Sequence, residues 1–67
     1  MKKAELSAQE LRIVKLICKQ LTSKEIAEQV GLSYRTVEEY RGNIEKKIGA
    51  KNSVGIAIYA LKQGIIR

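Results

Sequence analysis

The sequence predicts an all-α domain of four helices, and three observations support this fold class. Apolar residues recur at three- and four-residue spacing along the chain, whereas strand-like alternation is not sustained anywhere. Residues that favour helix N-caps precede these segments, and glycines follow most of them. The chain also lacks proline, which suits helices joined by short turns. We expect a single domain over residues 1–67 with a small core.

The first helix is predicted near residues 8–20. Ser7 and Glu10 form an S-x-x-E capping box before it, in which each side chain accepts a hydrogen bond from the other residue's backbone N–H. Gln20 stands at the end of this helix, where the other helices have glycine. Helical spacing assigns the buried face to Leu11, Val14, Ile17, Cys18 and Leu21.

The second helix is predicted near residues 23–30. Thr22 and Glu25 form its capping box, and Gly31 follows its last turn. The predicted buried residues are Ile26, Ala27 and Val30.

The third helix is predicted near residues 34–48, between the N-cap residue Ser33 and Gly49. A helical wheel centred on Val37 places Ile44 and Ile48 within about 20° of it, so these residues should face the core. Arg41 falls near this face, where its stem can cover the core.

The fourth helix is predicted near residues 53–63, with Asn52 or Ser53 as its N-cap and Gly64 after its end. Its core stripe is assigned to Val54, Ala57, Ile58 and Leu61. Leu61 and Ile65 are expected to close the core. The opposite face is then Ile56, Tyr59, Ala60 and Gln63.

Composition limits the classes of function. Thirteen basic residues against seven acidic ones give a net charge of +6, which favours a polyanionic partner, although plain solubility is an alternative. The chain has no histidine and one cysteine, Cys18, so we expect no metal site and no cofactor. Cys18 is interpreted as a core residue, with a redox thiol as the alternative. We expect no enzymatic activity, no membrane span and a cytoplasmic location.

The segment Thr22 to Ile48 has the layout of a helix-turn-helix. A short capped helix ends at Gly31, the turn is Gly31-Leu32-Ser33, and a longer capped helix follows. Leu32 is expected to fill the angle between the two helices. In this arrangement the second helix of the pair can enter the major groove of DNA.

Six sequence motifs in this order resemble the LuxR-type helix-turn-helix domain of bacterial transcription regulators. They are L-S-x-x-E-L from Leu6, T-S-K-E-I-A from Thr22, S-x-x-T-V-E from Ser33, N-I-x-x-K-I-G from Asn43, A-x-N-S-V from Ala50 and Y-A-L-K-Q-G-I-I from Tyr59. The resemblance covers nearly the whole chain. It implies binding of double-stranded DNA through the third helix, dimerisation through the fourth, and often a regulatory domain N-terminal to this one.

The exposed face of the third helix is the predicted base-contacting surface, and its candidates are Arg35, Glu38, Glu39 and Gly42. Arginine can pair with guanine O6 and N7, and glutamate can accept from cytosine N4. Glycine permits close approach of the helix to the bases. The candidates for phosphate contact are Thr22, Ser23, Lys24, Thr36, Tyr40, Asn43, Lys46 and Lys47. The same charges also fit a solvated helix face with weak ion pairs.

The fourth helix is the predicted site of a weak homodimer, through Ile56, Tyr59, Ala60 and Gln63. Scattered exposed apolar residues are also ordinary on monomers. Two other functions are open. One is a promoter-binding domain like region 4 of sigma factors, and the other is a protein-interaction module that does not bind DNA.

Overall fold

The computed structural model describes residues 5–66, which form four helices joined by short turns. They are α1 (Ala8–Cys18), α2 (Ser23–Val30), α3 (Tyr34–Ile48) and α4 (Ser53–Lys62). The predicted all-α fold class is confirmed. The first helix ends two residues earlier than predicted, and the fourth ends one residue earlier. No helix within this part of the chain is long and apolar enough to cross a bilayer.

All four predicted N-caps are present. Both capping boxes form, since Ser7 and Glu10 exchange hydrogen bonds at the start of α1 and Thr22 and Glu25 do so at the start of α2. The Ser33 hydroxyl accepts from the Thr36 N–H at 3.1 Å. The N-cap of α4 is Asn52, whose side chain accepts from the Gly55 N–H at 3.1 Å. Local sequence therefore sets where each helix begins.

The turn after α1 contains a residue in an unfavourable backbone conformation. Gln20 has φ +65°, in the left-handed region that glycines adopt after the other three helices. Its N–H donates to the Ile17 carbonyl at 2.9 Å, so the turn has the geometry of a glycine-ended helix without the glycine.

The core lies between α1 and the other three helices. α1 makes its most extensive contacts with α4, and α2 packs chiefly on α3. The largest fully buried side chains are Ile13, Val14, Ile26, Val37, Ile44 and Ile56. The predicted core residues of α2 and α3 are confirmed, because Ile26, Ala27, Val37 and Ile44 are buried and Val30 and Ile48 pack against them.

The predicted face of α1 is only partly correct. Val14 and Ile17 are buried, and Cys18 and Leu21 pack against the core, but Ile13 and Leu16 are also buried and were not predicted. Leu11 is only half-buried. α1 is covered on more than one side by its neighbours, so its apolar face is wider than a single stripe. Burial raises the pKa of the Cys18 thiol, which favours its protonated form.

The predicted orientation of α4 is wrong. Ile56 and Ala60, predicted to face solvent, are completely buried, whereas Val54, Ile58 and Leu61, predicted to be core, are 66%, 49% and 57% exposed. Ile65 does pack against the core, as predicted, but Leu61 does not. α4 carries apolar residues around most of its circumference, and packing on α1 selects Ile56 and Ala60 as the buried pair.

One ion pair connects the beginning of α1 with the end of α3. The Lys47 ammonium lies 2.8 Å from the Glu10 carboxylate, whose side chain is only 6% exposed. The same Glu10 oxygen accepts from the Ser7 N–H at 2.8 Å. The hydrogen bond from Lys47 lowers the pKa of Glu10, assisted by the one from Ser7 and opposed by burial.

Candidate nucleic-acid interface

The turn between α2 and α3 fixes the relative position of the two helices. Gly31 has φ +72°, and the N–H groups of Gly31 and Leu32 both donate to the Ala27 carbonyl. The Leu32 side chain is half-buried against the core, as the sequence predicted. The chain between α2 and α3 therefore forms a helix-turn-helix with a packed corner.

Burial determines which face of α3 is free to contact a ligand. Val37 and Ile44 are completely buried, and Arg35 and Glu39 on the opposite side are exposed. Glu38 is also exposed, and Gly42 is half-buried. The structure thus places the four predicted base-contacting residues along the outer side of α3, and their contact with bases stays a prediction.

Gly42 has no packing role in the fold. A Cβ atom built on Gly42 meets nothing within 4 Å, and this glycine has an ordinary helical backbone. Glycine in the interior of a helix costs about 0.5–1 kcal/mol relative to alanine. By contrast, a Cβ on Gly55 would lie 3.0 Å from the Ala50 Cβ, so that glycine serves packing. Gly42 therefore leaves space on the surface of the domain rather than in its interior.

The predicted phosphate-contacting residues fall into two groups. Thr22, Lys24, Asn43, Lys46 and Lys47 are exposed, whereas Thr36 and Tyr40 are half-buried and Ser23 is buried. Tyr40 packs against the core. The Thr36 hydroxyl lies 2.9 Å from the Ser33 hydroxyl, and Lys47 is paired with Glu10. Three of these side chains therefore have structural contacts that the sequence did not indicate.

Ser23 is the predicted phosphate ligand that the structure places differently. Its side chain is buried at the first position of α2, and its hydroxyl donates a hydrogen bond to Glu38 Oε2. A buried hydroxyl that already donates to a carboxylate is not available to a phosphate. Only the backbone N–H of Ser23 can take the predicted role.

The N-terminus of α2 has two backbone N–H groups open to a ligand. The Thr22 N–H donates to Glu25 Oε1 at 2.9 Å, and the Glu25 N–H donates to the Thr22 hydroxyl at 3.2 Å. The hydrogen bond from the Thr22 N–H lowers the pKa of Glu25. Within the described residues, the N–H groups of Ser23 and Lys24 have no such partner, so an anion at this helix end would bind to them.

A polar cleft beside Gly42 was not predicted from the sequence. Its volume is about 420 Å³, and its walls come from the start of α2, the middle of α3 and the turn before α4. Lys51 and Asn52 lie in this turn, next to Glu38, Arg41 and Gly42. Arg41 is 20% exposed and donates a hydrogen bond to the Ser53 hydroxyl. The sequence indicated only the partial burial of Arg41, because Ser53 is twelve residues away.

Comparisons with known proteins agree with this geometry. The family model described as "Bacterial regulatory proteins, luxR family" matches residues 4–60. The chain is 39% identical over 61 residues to the transcriptional regulatory protein MctR of Rhizobium johnstonii. It is 41% identical over 61 residues to the oxygen regulatory protein NreC of Staphylococcus aureus. Each match covers 91% of this chain but only 28% of the relative, so the chain spans little more than a quarter of their length.

Proposed function

Because the chain belongs to the luxR family of bacterial regulatory proteins, we propose that it is the sequence-specific DNA-binding domain of a bacterial transcription regulator. α3 enters the major groove, and α2 lies across the phosphate backbone. Its role is recognition, and no step of it involves catalysis. Membership of this family over residues 4–60 favours this function over a sigma-factor promoter domain or an interaction module without DNA.

The exposed face of α3 carries the proposal. Val37 and Ile44 hold one side of the helix in the core, and Arg35, Glu39 and Gly42 lie on the other side. Because Gly42 has no side chain, nothing protrudes from the middle of this face. The Arg35 side chain at the N-terminal end of the face is long enough to reach guanine. A helix with this shape can approach base edges more closely than one with side chains all around it.

Binding begins with the phosphate backbone. Lys24 and Lys46 are exposed on α2 and α3, and the N–H groups of Ser23 and Lys24 are open at the positive end of the α2 dipole. These groups position the domain without selecting a sequence. The net charge of +6 favours encounter with any DNA, and base contacts then select the site.

A salt titration tests this function. Fluorescence anisotropy measures the affinity of the 67-residue chain for a random-sequence duplex at several salt concentrations. We expect the logarithm of affinity to fall linearly with the logarithm of salt concentration, because bound phosphates release counterions. A complete lack of binding at low salt, with a folded protein, would contradict the proposed function.

We propose a weak homodimer through α4. Of the four residues predicted for it, Tyr59 is half-buried and Gln63 is exposed, and their contact with a partner stays a prediction. Ile56 and Ala60 are buried and cannot reach a partner. Val54, Ile58 and Leu61 are spaced four and three residues apart and are all about half exposed or more, so they form an apolar stripe along α4. A twofold dimer on this stripe would present two α3 helices to successive turns of DNA.

Sedimentation equilibrium of paired variants tests the dimer. Ile58→Ser removes apolar surface from the stripe, and Tyr34→Ser removes an exposed aromatic side chain from α3 as a control. We expect Ile58→Ser to weaken self-association by about tenfold, while Tyr34→Ser has no effect. If the wild-type chain and both variants sediment alike, α4 is not the dimer interface.

We also propose that the domain works within a longer protein in the cytoplasm. The two relatives named above are regulators of which the matched segment is 28%. An N-terminal regulatory domain in a parent protein would control access of α3 to DNA. Limited proteolysis of the native protein from its host would test this, since a regulatory domain would yield a stable fragment in addition to this one.

A further inference from the structure

Two adjacent glutamates on α3 have different surroundings. Glu38 accepts a hydrogen bond from the buried Ser23 hydroxyl of α2 and lies 3.9 Å from the Arg41 guanidinium. Glu39 is exposed, and no side-chain hydrogen bond or ion pair joins it to another residue between positions 5 and 66. The fold therefore fixes one carboxylate on this face and leaves the other one free to rotate.

The contacts of Glu38 occupy only one of its two oxygens. The Ser23 hydroxyl and the Arg41 Nε both approach Oε2. Oε1 has no partner within the described residues, and the side chain is 46% exposed. A carboxylate held in this way presents one oxygen as a hydrogen-bond acceptor in a fixed direction.

The residues that hold Glu38 are themselves held. Ser23 is buried at the first position of α2, and Arg41 donates a hydrogen bond to Ser53 at the first position of α4. The chain of contacts runs from α2 through Glu38 and Arg41 to α4. Arg41 also offsets the negative charge of Glu38, which would otherwise repel the phosphate backbone.

The space in front of Glu38 is open. Glu38 and Gly42 line the same polar cleft and are one helical turn apart on α3. Because Gly42 has no side chain, a base edge can pass over it to reach the free oxygen of Glu38. The amino groups of cytosine, N4, and of adenine, N6, are donors in the major groove, whereas guanine and thymine offer acceptors at O6, N7 and O4. Adenine carries the acceptor N7 beside its donor, which would repel a carboxylate, so the carboxylate favours cytosine.

We propose that Glu38 is a specificity-determining residue that selects cytosine at one base pair, and that Ser23 and Arg41 are positioning residues for it. This inference rests on the proposed function. It assigns the contact to Glu38 rather than to Glu39, because only Glu38 is held in one orientation. It also explains why Ser23 is buried against α3 instead of facing a phosphate.

Selection from a random duplex library tests the inference on the 67-residue chain. The wild type is compared with Glu38→Gln, Ser23→Ala and Glu39→Gln, after thermal melting establishes that each variant is folded. We expect the wild type to prefer cytosine at one position by roughly 5- to 150-fold, the discrimination typical of one good base contact. Glu38→Gln should shift this preference toward adenine, since glutamine pairs with adenine N6 and N7. Ser23→Ala should weaken the preference at the same position.

Glu39→Gln makes the same change of charge one residue away on the DNA-facing side of α3. It can alter the overall affinity, but it should leave the cytosine preference at that base pair unchanged. A cytosine preference that persists in Glu38→Gln and Ser23→Ala would overturn the inference. Glu38 would then have only a structural role, through its contacts with Ser23 and Arg41. Loss of the preference in Glu39→Gln instead would also overturn the inference. If the folded wild type does not bind DNA at all, the proposed function fails together with the inference. If it binds DNA and the variants behave as just described, only the inference about Glu38 fails, so the two failures are distinguishable.

Discussion

At the scale of single residues, two helix-interior glycines illustrate how fold and function differ in their demands. Gly55 packs closely on Ala50, whose Cβ would lie 3.0 Å from a Cβ added at Gly55. Gly42 faces open space, and the fold would be more stable with alanine there. The sequence alone could not separate these cases, because both glycines lie inside helical patterns. Only the neighbours brought by the tertiary fold reveal the difference.

Substitution of Gly42 by alanine should change stability and DNA binding in opposite directions. We expect Gly42→Ala to raise the free energy of unfolding by about 0.5–1 kcal/mol, because alanine reduces the entropy lost on helix formation. It should lower DNA affinity by about tenfold, since a methyl group pressed against a base edge costs about 1–3 kcal/mol. Urea unfolding and anisotropy titration measure the two effects.

Gly55→Ala is the matched control for this prediction. Its added Cβ would be too close to Ala50, so it should reduce stability. If Gly42→Ala were stabilised and bound DNA as tightly as the wild type, the outer face of α3 at Gly42 would not approach DNA.

At the scale of helices, the sequence predicts what depends on neighbours along the chain. The caps at Ser7, Thr22 and Ser33 were predicted correctly because each involves residues only three apart. The orientation of α4 was predicted incorrectly, because α4 has apolar residues on most sides and a helical wheel cannot choose between two apolar faces. Contacts with α1 decide that Ile56 is buried and Ile58 is exposed.

The pairing of Glu10 with Lys47 is a second feature that sequence could not supply. The two residues are 37 positions apart, so only the packing of α1 on α3 brings them together. From the sequence, Glu10 is a capping residue and Lys47 is a candidate for phosphate binding. In the structure both contribute to the junction between the start of α1 and the end of α3.

This junction predicts a pH dependence of stability. The pKa of Glu10 is lowered in the folded chain. The contribution of its charge to the free energy of unfolding is therefore fully present above the pKa of an unfolded-chain glutamate, about 4.3. The contribution is lost as the pH falls through the lower pKa of the folded state. Glu10→Gln retains a side chain that can complete the capping box but removes the charge that pairs with Lys47.

We expect Glu10→Gln to be less stable than the wild type by about 1–3 kcal/mol at pH 7. As the pH falls below about 4, the difference should narrow, because Glu10 of the wild type becomes protonated. Thermal melting across this pH range measures the difference in stability between the wild type and Glu10→Gln, with Glu39→Gln on the exposed face of α3 as the control. A difference that stays constant with pH would mean that the ion pair does not stabilise the fold.

At the scale of the whole molecule, the two proposed binding surfaces lie on different helices. The DNA-binding surface belongs to α2 and α3, whereas the exposed apolar stripe of Val54, Ile58 and Leu61 belongs to α4. The core joins them through α1, which contacts all three other helices. A domain built in this way can bind DNA and a second copy of itself at the same time.

The outer face of α3 is the surface proposed to contact DNA, and an NMR titration tests this contact most directly. Amide chemical shifts of the ¹⁵N-labelled chain are followed while a short mixed-sequence duplex is added. We expect the largest changes at Arg35, Glu39 and Gly42 on α3 and at Ser23 and Lys24 at the start of α2. Changes concentrated along α4, with the α3 amides unmoved, would contradict it.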